Sequence, residues 1–589
     1  MSDNRIAPEI LELIRRTSTV GGCSNVFSLA PRGHRVGFYF QQRRATLLAK
    51  ALRDRLGEDG LKSAKIAVIG AGVSGVTFFL SLIHFGAKNV FIYDASDGML
   101  NTGASAEHRL VHPNYNRWPM LGSMDLFTAL PLLNWCAGTA RDVVEQLRTS
   151  VRNGYTEKTK DRFRRRHRCV SVTEQEPELI NSVRVLFDVD GIQHGEDFQI
   201  VVISVGFGEE DCVRSGLEDY WTPERNPLDT GHHKREARVF GTGDGALIDI
   251  LRCCAREPND AWQIPLGLIG GLRDESAIVL QEDMASGPVD PRSLEFTAVE
   301  IEIQRHEESI RAASWHIVKK SDMVTAGRYI AQEEVFYRGL AGRLRKDEPW
   351  LCNFLEGRLK PAAEAALKPK LIGEITTPFE PTSAPINKLL AAYLLETDRI
   401  LYECKPRTET DEELRAIKDA TRLATVETIA ICRYGANRNF PSTKKHRPAN
   451  TVDVFLKVNS SATKSDETDL ESQLIDLLSG LSGGEYVYFD AMPHPLELAR
   501  NGHNQAQMIQ GTRERFKPII EGFARAELGA TEVTLIPPRK QVPAKWSIKT
   551  EMRSDAIQQK LRLLGGIDGI FCGAPIVVTR EILPEEENF

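Results

Sequence analysis

Between Ile66 and Ala87 the chain carries no Asp, Glu, Lys or Arg, inside the stretch AKIAVIGAGVSGVTFFLSLIHFGAKNVFIYD at residues 64–94. A run of that length is long enough for a membrane helix, and its texture decides against one. Residues 66–69 (IAVI) form a short, largely β-branched apolar run, the signature of a strand buried on both faces. Gly70, Gly72 and Gly75 follow, then an apolar helix-like segment at 76–85, then a second apolar run, VFIY, ending at Asp94. Strand, glycine turn, helix, strand and acid fit in about 30 residues, the length of one βαβ unit.

Each part of the turn Gly70-Ala71-Gly72-Val73-Ser74-Gly75 has a physical task. Gly70 permits the tight turn, Gly72 lets a pyrophosphate approach the backbone, and Gly75 allows close packing of helix on sheet. The amides at the helix start favour phosphate. Asp94 lies 19 residues beyond Gly75, placed to accept hydrogen bonds from a ribose. The fingerprint leaves open whether the dinucleotide is FAD or NAD.

The 589 residues allow several domains. A formal net charge of -6 gives no global reason to expect nucleic acid as a partner. Ten cysteines form no CxxC pair and no zinc spacing. The polar N-terminus lacks the layout of a signal peptide, so the expected compartment is the reducing cytoplasm, with no metal and no membrane partner.

Four divisions are expected: an N-terminal helical extension (1–60), a dinucleotide-binding domain (61–260), a mainly helical region (261–408) and a C-terminal α/β domain (409–589). The fold class is α/β, a Rossmann-like domain with a β-ribbon insertion. Helical spacing at Ala45, Leu48, Ala51, Leu52 and Leu56 feeds a helix into the first strand. Gln41, Gln42, Arg43 and Arg44 at its start could approach cofactor phosphates, but read better as a solvated polar helix start. After Asp94 a loop crowds His108, Arg109, His112, Asn114, Tyr115, Arg117 and Trp118 into eleven positions. It leaves the carboxyl end of a strand, where functional groups concentrate. RCVSVTEQ and SVRVLFDVDG alternate as an antiparallel ribbon, and residues 200–205 read as a buried parallel strand ending at Gly206. A second glycine motif, GTGDGA, spans Gly241, Gly243, Asp244 and Gly245.

In this order the pieces from about 65 to 254 resemble the two-dinucleotide-binding-domain flavoproteins, the group of thioredoxin reductases and flavin-containing monooxygenases. The resemblance implies FAD on Gly70, Ala71, Gly72, Ser74, Gly75 and Asp94, with Val170 by the adenine and the SVGFG turn at Gly206 closing the domain. It implies NAD(P)H on Gly241, Gly243, Asp244 and Gly245. Alternatively, Gly243-Asp244 is the flavin-contacting Gly-Asp that such domains carry late in the chain, and one nucleotide binds. Without a CxxC, dithiol chemistry is disfavoured.

The implied function is an FAD-dependent oxidoreductase taking hydride from NAD(P)H and passing electrons to oxygen or an organic small-molecule substrate. His112 is then the candidate proton donor, Arg109 or Arg117 an anion or flavin partner, and Trp118 a lid. The alternative is a dinucleotide-binding sensor whose C-terminal half is an effector or protein-interaction module. In that half, RYGANRNFPSTKKHRP, with Arg433, Arg438, Lys444, Lys445, His446 and Arg447, is a basic loop that could bind a phosphate, nucleotide or acidic partner, but reads better as solvated.

Overall fold

The computed structural model describes residues 23–29, 37–113, 115–119, 132–174, 182–206, 220–222, 236–257, 260–269, 301–307, 323–347, 349–363, 368–380, 383–422, 428–433, 451–452, 529–537, 545–550, 570–571 and 574–580, with isolated positions between them. The uncharged run folds as expected. β2 (Lys65–Ile69) is followed by α2 (Val73–His84) and β3 (Asn89–Tyr93). Ahead of them stand β1 (Val26–Ser28) and α1 (Phe38–Ser63); behind them come α3 (Ala140–Thr159) and β4 (Phe163–Arg164). Thr139 and Asp142 form a reciprocal capping box that starts α3.

Next comes the ribbon, β5 (Arg168–Glu174), β6 (Val183–Val189) and β7 (Ile192–Phe198), then β8 (Ile200–Ile203). β8 returns to pair in parallel with β2, on the side away from β3. The first sheet is thus ordered β1-β8-β2-β3-β4, all parallel. Its two faces sort the alternate residues of each strand. Ile66, Val68, Val90, Ile92 and Val202 pack under α1, α2 and α3. Ala67, Ile69, Tyr93, Val201 and Ile203 pack under the ribbon, against Val172, Val185 and Phe187. Both faces are covered, which is why these strands read as continuous apolar runs.

GTGDGA opens a second sheet. It follows β9 (Glu236–Phe240) and starts α4 (Asp244–Cys254). After α5 (Asp260–Ile269), α6 (Met323–Asp347) and α7 (Pro349–Arg358) the chain returns as β10 (Lys370–Gly373). α8 (Pro385–Glu396), β11 (Leu401–Cys404), α9 (Arg407–Arg422) and β12 (Thr428–Cys432) complete it. The strands lie in the order β11-β10-β9-β12, all parallel. In sequence rank that is 3-2-1-4, the order of a dinucleotide-binding fold.

This second unit crosses the divisions expected at 260 and 408, so the stretch 261–408 supplies helices and also two core strands. Past α8, Asp398 takes positive φ and ends the helical run, and the chain enters β11. The expected N-terminal extension is likewise part of the first unit, since β1 joins its sheet and α1 its core. The C-terminal half adds Thr451–Val452 to the ribbon beside β5. It also builds a mixed sheet from β13 (Ala530–Ile536), β14 (Lys545–Thr550), β15 (Ala574–Arg580) and Ile570–Phe571. Among the described residues no helix is long and apolar enough to cross a membrane.

Candidate functional site

In an open parallel sheet, ligands bind beyond the carboxyl ends of the strands where strand order reverses. In the first unit that point lies between β2 and β8, and the glycine turn fills it. Gly70 has φ +102°, and a Cβ there would stand 2.4 Å from the Ser204 carbonyl at the end of β8. A Cβ on Gly75 would stand 2.0 Å from the Gly70 carbonyl. Both positions are closed to any side chain. Gly72 differs: among the described residues a Cβ there would meet nothing within 4 Å, so open space faces the turn.

Gly72 also occupies the cap position of α2 and offers no side chain to its first amides. The Val76 N–H bonds the Gly72 carbonyl at 2.9 Å, leaving the amides of residues 73–75 aimed out of the helix end. Ser74 Oγ lies 2.7 Å from Ser204 Oγ and pins the first turn to β8. Asp94 Oδ2 accepts the Ala71 N–H at 2.6 Å, and Oδ1 accepts the Ser96 N–H at 2.8 Å and its hydroxyl at 2.5 Å. A carboxylate has about four acceptor positions, so Asp94 can brace the turn and still accept a ribose hydroxyl. These residues fit a dinucleotide.

The second unit repeats this frame closely. In the first, acidic Asp94 follows the second strand, and six residues on, the Leu100 N–H bonds the carbonyl of Ala71, second residue of the glycine turn. In the second, Glu374 follows β10, and six residues on, the Glu380 N–H bonds the carbonyl of Thr242, second residue of GTGDGA. Gly241 has φ +123°, and Gly243 caps α4. The motif therefore begins a βα unit of its own and does not edge the first sheet.

The chemistry of the two mouths differs. Leu100 is buried and apolar. The carboxylate of Glu380 lies 3.9–4.0 Å from where a Gly243 Cβ would be. Asp244 Oδ1 accepts the Ala384 N–H and the Asn387 side-chain amide, both at 2.7 Å. Two carboxylates at the amino end of α4 oppose a pyrophosphate there. Glu374 itself is ion-paired with Arg407 at 3.1 Å.

The loop expected to wall the active site runs between the units. Arg109 is fully buried and bidentate on Asp249 of α4, at 2.5 and 3.2 Å, and its Nε donates to the Tyr220 carbonyl. Arg252 and Arg433 bond the same carboxylate at 2.8 and 2.7 Å. Burial alone would raise the Asp249 pKa, but Arg109, Arg433 and Arg252 hold it far below the ordinary carboxylate range. Arg433, expected in a solvated loop, is thus buried at the end of β12, because its partner comes from a distant helix. Arg438, Lys444, Lys445, His446 and Arg447 lie outside the described residues.

His112 is buried, and burial pushes its pKa down to about 3. His108 is also lowered to about 3, by burial and then by Arg109. Both rings are neutral at physiological pH. The Tyr115 hydroxyl donates to Asn387 at 2.6 Å. Trp118 is buried in the core of the second unit, among residues of α4 and α8. Arg117 belongs to a short turn of 3₁₀ helix; its side chain and Asn114 lie outside the described residues. Val170 sits at a bulge in β5, and Gly206, φ +74°, turns the chain just after β8. Gly245 packs against Tyr220 and Arg433.

The structure thus brings Gly70, Ala71, Gly72, Ser74, Gly75 and Asp94 into one cradle, with Gly206 nearby in sequence at the end of the adjacent strand. Gly241, Gly243, Asp244 and Gly245 form a second. Sequence reasoning missed Glu374, which stands 129 residues beyond Gly245. It also missed Asp249, although an acid within ALIDIL is itself a signal of a buried partner.

No protein-family model matches the chain, and no curated protein matches it. Similar solved structures include cyclohexanone monooxygenase from Rhodococcus sp. Phi1 bound to NADP+, 19% identical with a TM-score of 0.23, covering 32% of this chain and 36% of that one. Tmm from Pelagibacter sp. strain HTCC7211 is 15% identical with a TM-score of 0.22, covering 32% of this chain and 48% of that one. The chain spans between about a third and a half of their length, and at these scores the likeness bears no functional conclusion.

Proposed function

We propose that the protein is an FAD-dependent oxidoreductase with FAD in the first cradle. One observation carries the reading: the open-faced Gly72 turn lies between β2 and a strand that returns only after an antiparallel ribbon has covered the second face of the sheet. A plain nicotinamide-binding unit has no use for that ribbon, and the flavoproteins that the sequence resembles carry one. The amino end of α2 would take the pyrophosphate, and Asp94 the adenosine ribose. Bound FAD supplies the redox chemistry, and the protein supplies position and electrostatics.

A small-molecule substrate and an acceptor, oxygen or organic, complete the reading. Arg109 and Trp118 serve it as positioning residues, holding the loop 108–118 against the second unit. His112, neutral, would act as a hydrogen-bonding wall. NAD(P)H is the donor implied by the resemblance, yet Glu380 and Asp244 disfavour its pyrophosphate at the second cradle. The same acidity favours the second reading, a flavin-binding sensor without a nicotinamide partner.

Purified protein should show flavin absorbance and release about one FAD per chain on denaturation, as a single cradle of this kind implies. Gly75→Ala should lose the flavin, because its Cβ cannot coexist with the Gly70 carbonyl. Colourless wild-type protein that takes up no FAD overturns the reading. Anaerobic NADH or NADPH then separates the two: bleaching supports the reductase, and a flavin left oxidised by both supports the sensor.

A further inference from the structure

Gln41 is only 7% exposed, and neither its side-chain oxygen nor its nitrogen has a hydrogen-bond partner among the described residues. Its neighbour Gln42 shows the ordinary solution to burial: Oε1 accepts the Trp135 indole N–H at 2.6 Å and Nε2 donates to the Leu133 carbonyl at 3.1 Å. Buried polar groups are nearly always paired, and one that is not calls for an explanation.

The position of Gln41 supplies one. α1 is broken at Gly57, φ +69°. Before the break Arg55 bonds the Ser24 carbonyl and Asn25 Oδ1 at the amino end of β1, and Arg53 lies over the Phe85 ring just past α2. The amino end of α1 therefore lies toward the carboxyl edge of the first sheet. Gln41 extends the stripe Ala45, Leu48 and Leu52, all fully buried in the first unit's core, one turn further in that direction. Phe38, one turn earlier still, meets Trp135 and Trp221 at ring distances of 6.5 and 5.7 Å. Trp221 in turn abuts Gly103, 3.3 Å from its Cβ position, in the loop that leaves β3 beyond Asp94. The first turn of α1 has no acidic residue, and its cap, Gly37, has no side chain to satisfy the amides. An unsatisfied carboxamide thus stands at an aromatic-lined, uncapped helix end on the ligand side of the sheet.

We propose that Gln41 is a binding residue for the ring end of the dinucleotide, its carboxamide pairing with an edge that presents a donor beside an acceptor. A cyclic imide or a carboxamide has such an edge, and a carboxamide side chain matches it with one donor and one acceptor. The proposal rests on the reading of the first cradle as an FAD site and adds to it a residue outside every glycine motif, contributed by the helix that precedes the fold.

The test uses full-length protein stripped of flavin, titrated with FAD and, separately, with ADP, which has the cradle's share of the ligand and no ring. Gln41→Met should weaken FAD roughly tenfold, the worth of an ordinary hydrogen-bonded contact, and leave ADP unchanged. The melting temperature of the stripped variant should stay level or rise, because an unpaired amide has been removed. Gln42→Met, which breaks two existing bonds, should melt lower. Equal FAD affinity in wild type and Gln41→Met overturns the proposal, as does equal weakening of FAD and ADP, or a lower melting point of stripped Gln41→Met. Wild-type protein that binds ADP and no FAD overturns the reading beneath it instead.

Discussion

His112 gives the first unit an acid sensitivity that its carboxylates do not explain. Its folded pKa, lowered to about 3 by burial, lies below the value of about 6.5 expected in the unfolded chain. Protonation therefore favours unfolding. The stability conferred by the neutral ring is complete above pH 6.5 and is lost as pH falls from there toward 3. Urea midpoints of wild type and His112→Gln measured from pH 7 to pH 4 should converge on the acid side, with wild type losing about 3 kcal/mol more over that interval. Parallel curves would mean that the ring is accessible to protons in the folded state. Asp249 does not blur the window, since its depressed pKa makes it lose stability only below the ordinary carboxylate range. At this scale the glycines were legible because their demand is local: Gly70 and Gly75 are needed by backbone atoms a few residues away and by the next strand. Gln41, Arg44 and Arg433 were misread as surface because polar residue types do not reveal that distant chain covers them.

Among the elements, the two βα units form a natural comparison. Both place an acid after the second strand and both hook the following loop onto the glycine turn through an amide six residues later. The side chain at that hook differs, Leu100 against Glu380. Glu380→Gln should therefore raise the affinity of the second cradle for NADH or NADPH several-fold, by removing negative charge from the amino end of α4. Calorimetric titration of the two proteins checks this, and identical isotherms would show that Glu380 does not control the site. The first unit was legible element by element because β2, α2 and β3 are consecutive. The second was not, since its first and second strands are separated by α5, α6 and α7. β7, IQHGEDF, was also missed: it is polar and mostly exposed, and its strand form comes from pairing with β6 along its whole length.

The molecule as a whole is tied together at Asp249. Its fully buried carboxylate holds Arg109 from the first unit's loop, Arg252 from its own helix and Arg433 from the end of β12. Asp249→Asn would leave three guanidinium groups around a neutral amide, and losing a buried charge partner costs about 3–5 kcal/mol. Urea unfolding should report a loss of that order; a loss under about 1 kcal/mol, the range of exposed pairs, would show that the cluster is solvated and does not join the units. By itself the sequence determined the first cradle, its strand, turn, helix and acid, because every constraint there acts within about 30 residues. The tertiary structure alone decided that GTGDGA opens a second sheet, that Glu380 stands at its mouth, and that Gln41, Arg109 and Arg433 are interior. Those facts depend on which distant segments meet, and burial is a property of that meeting, not of the residue.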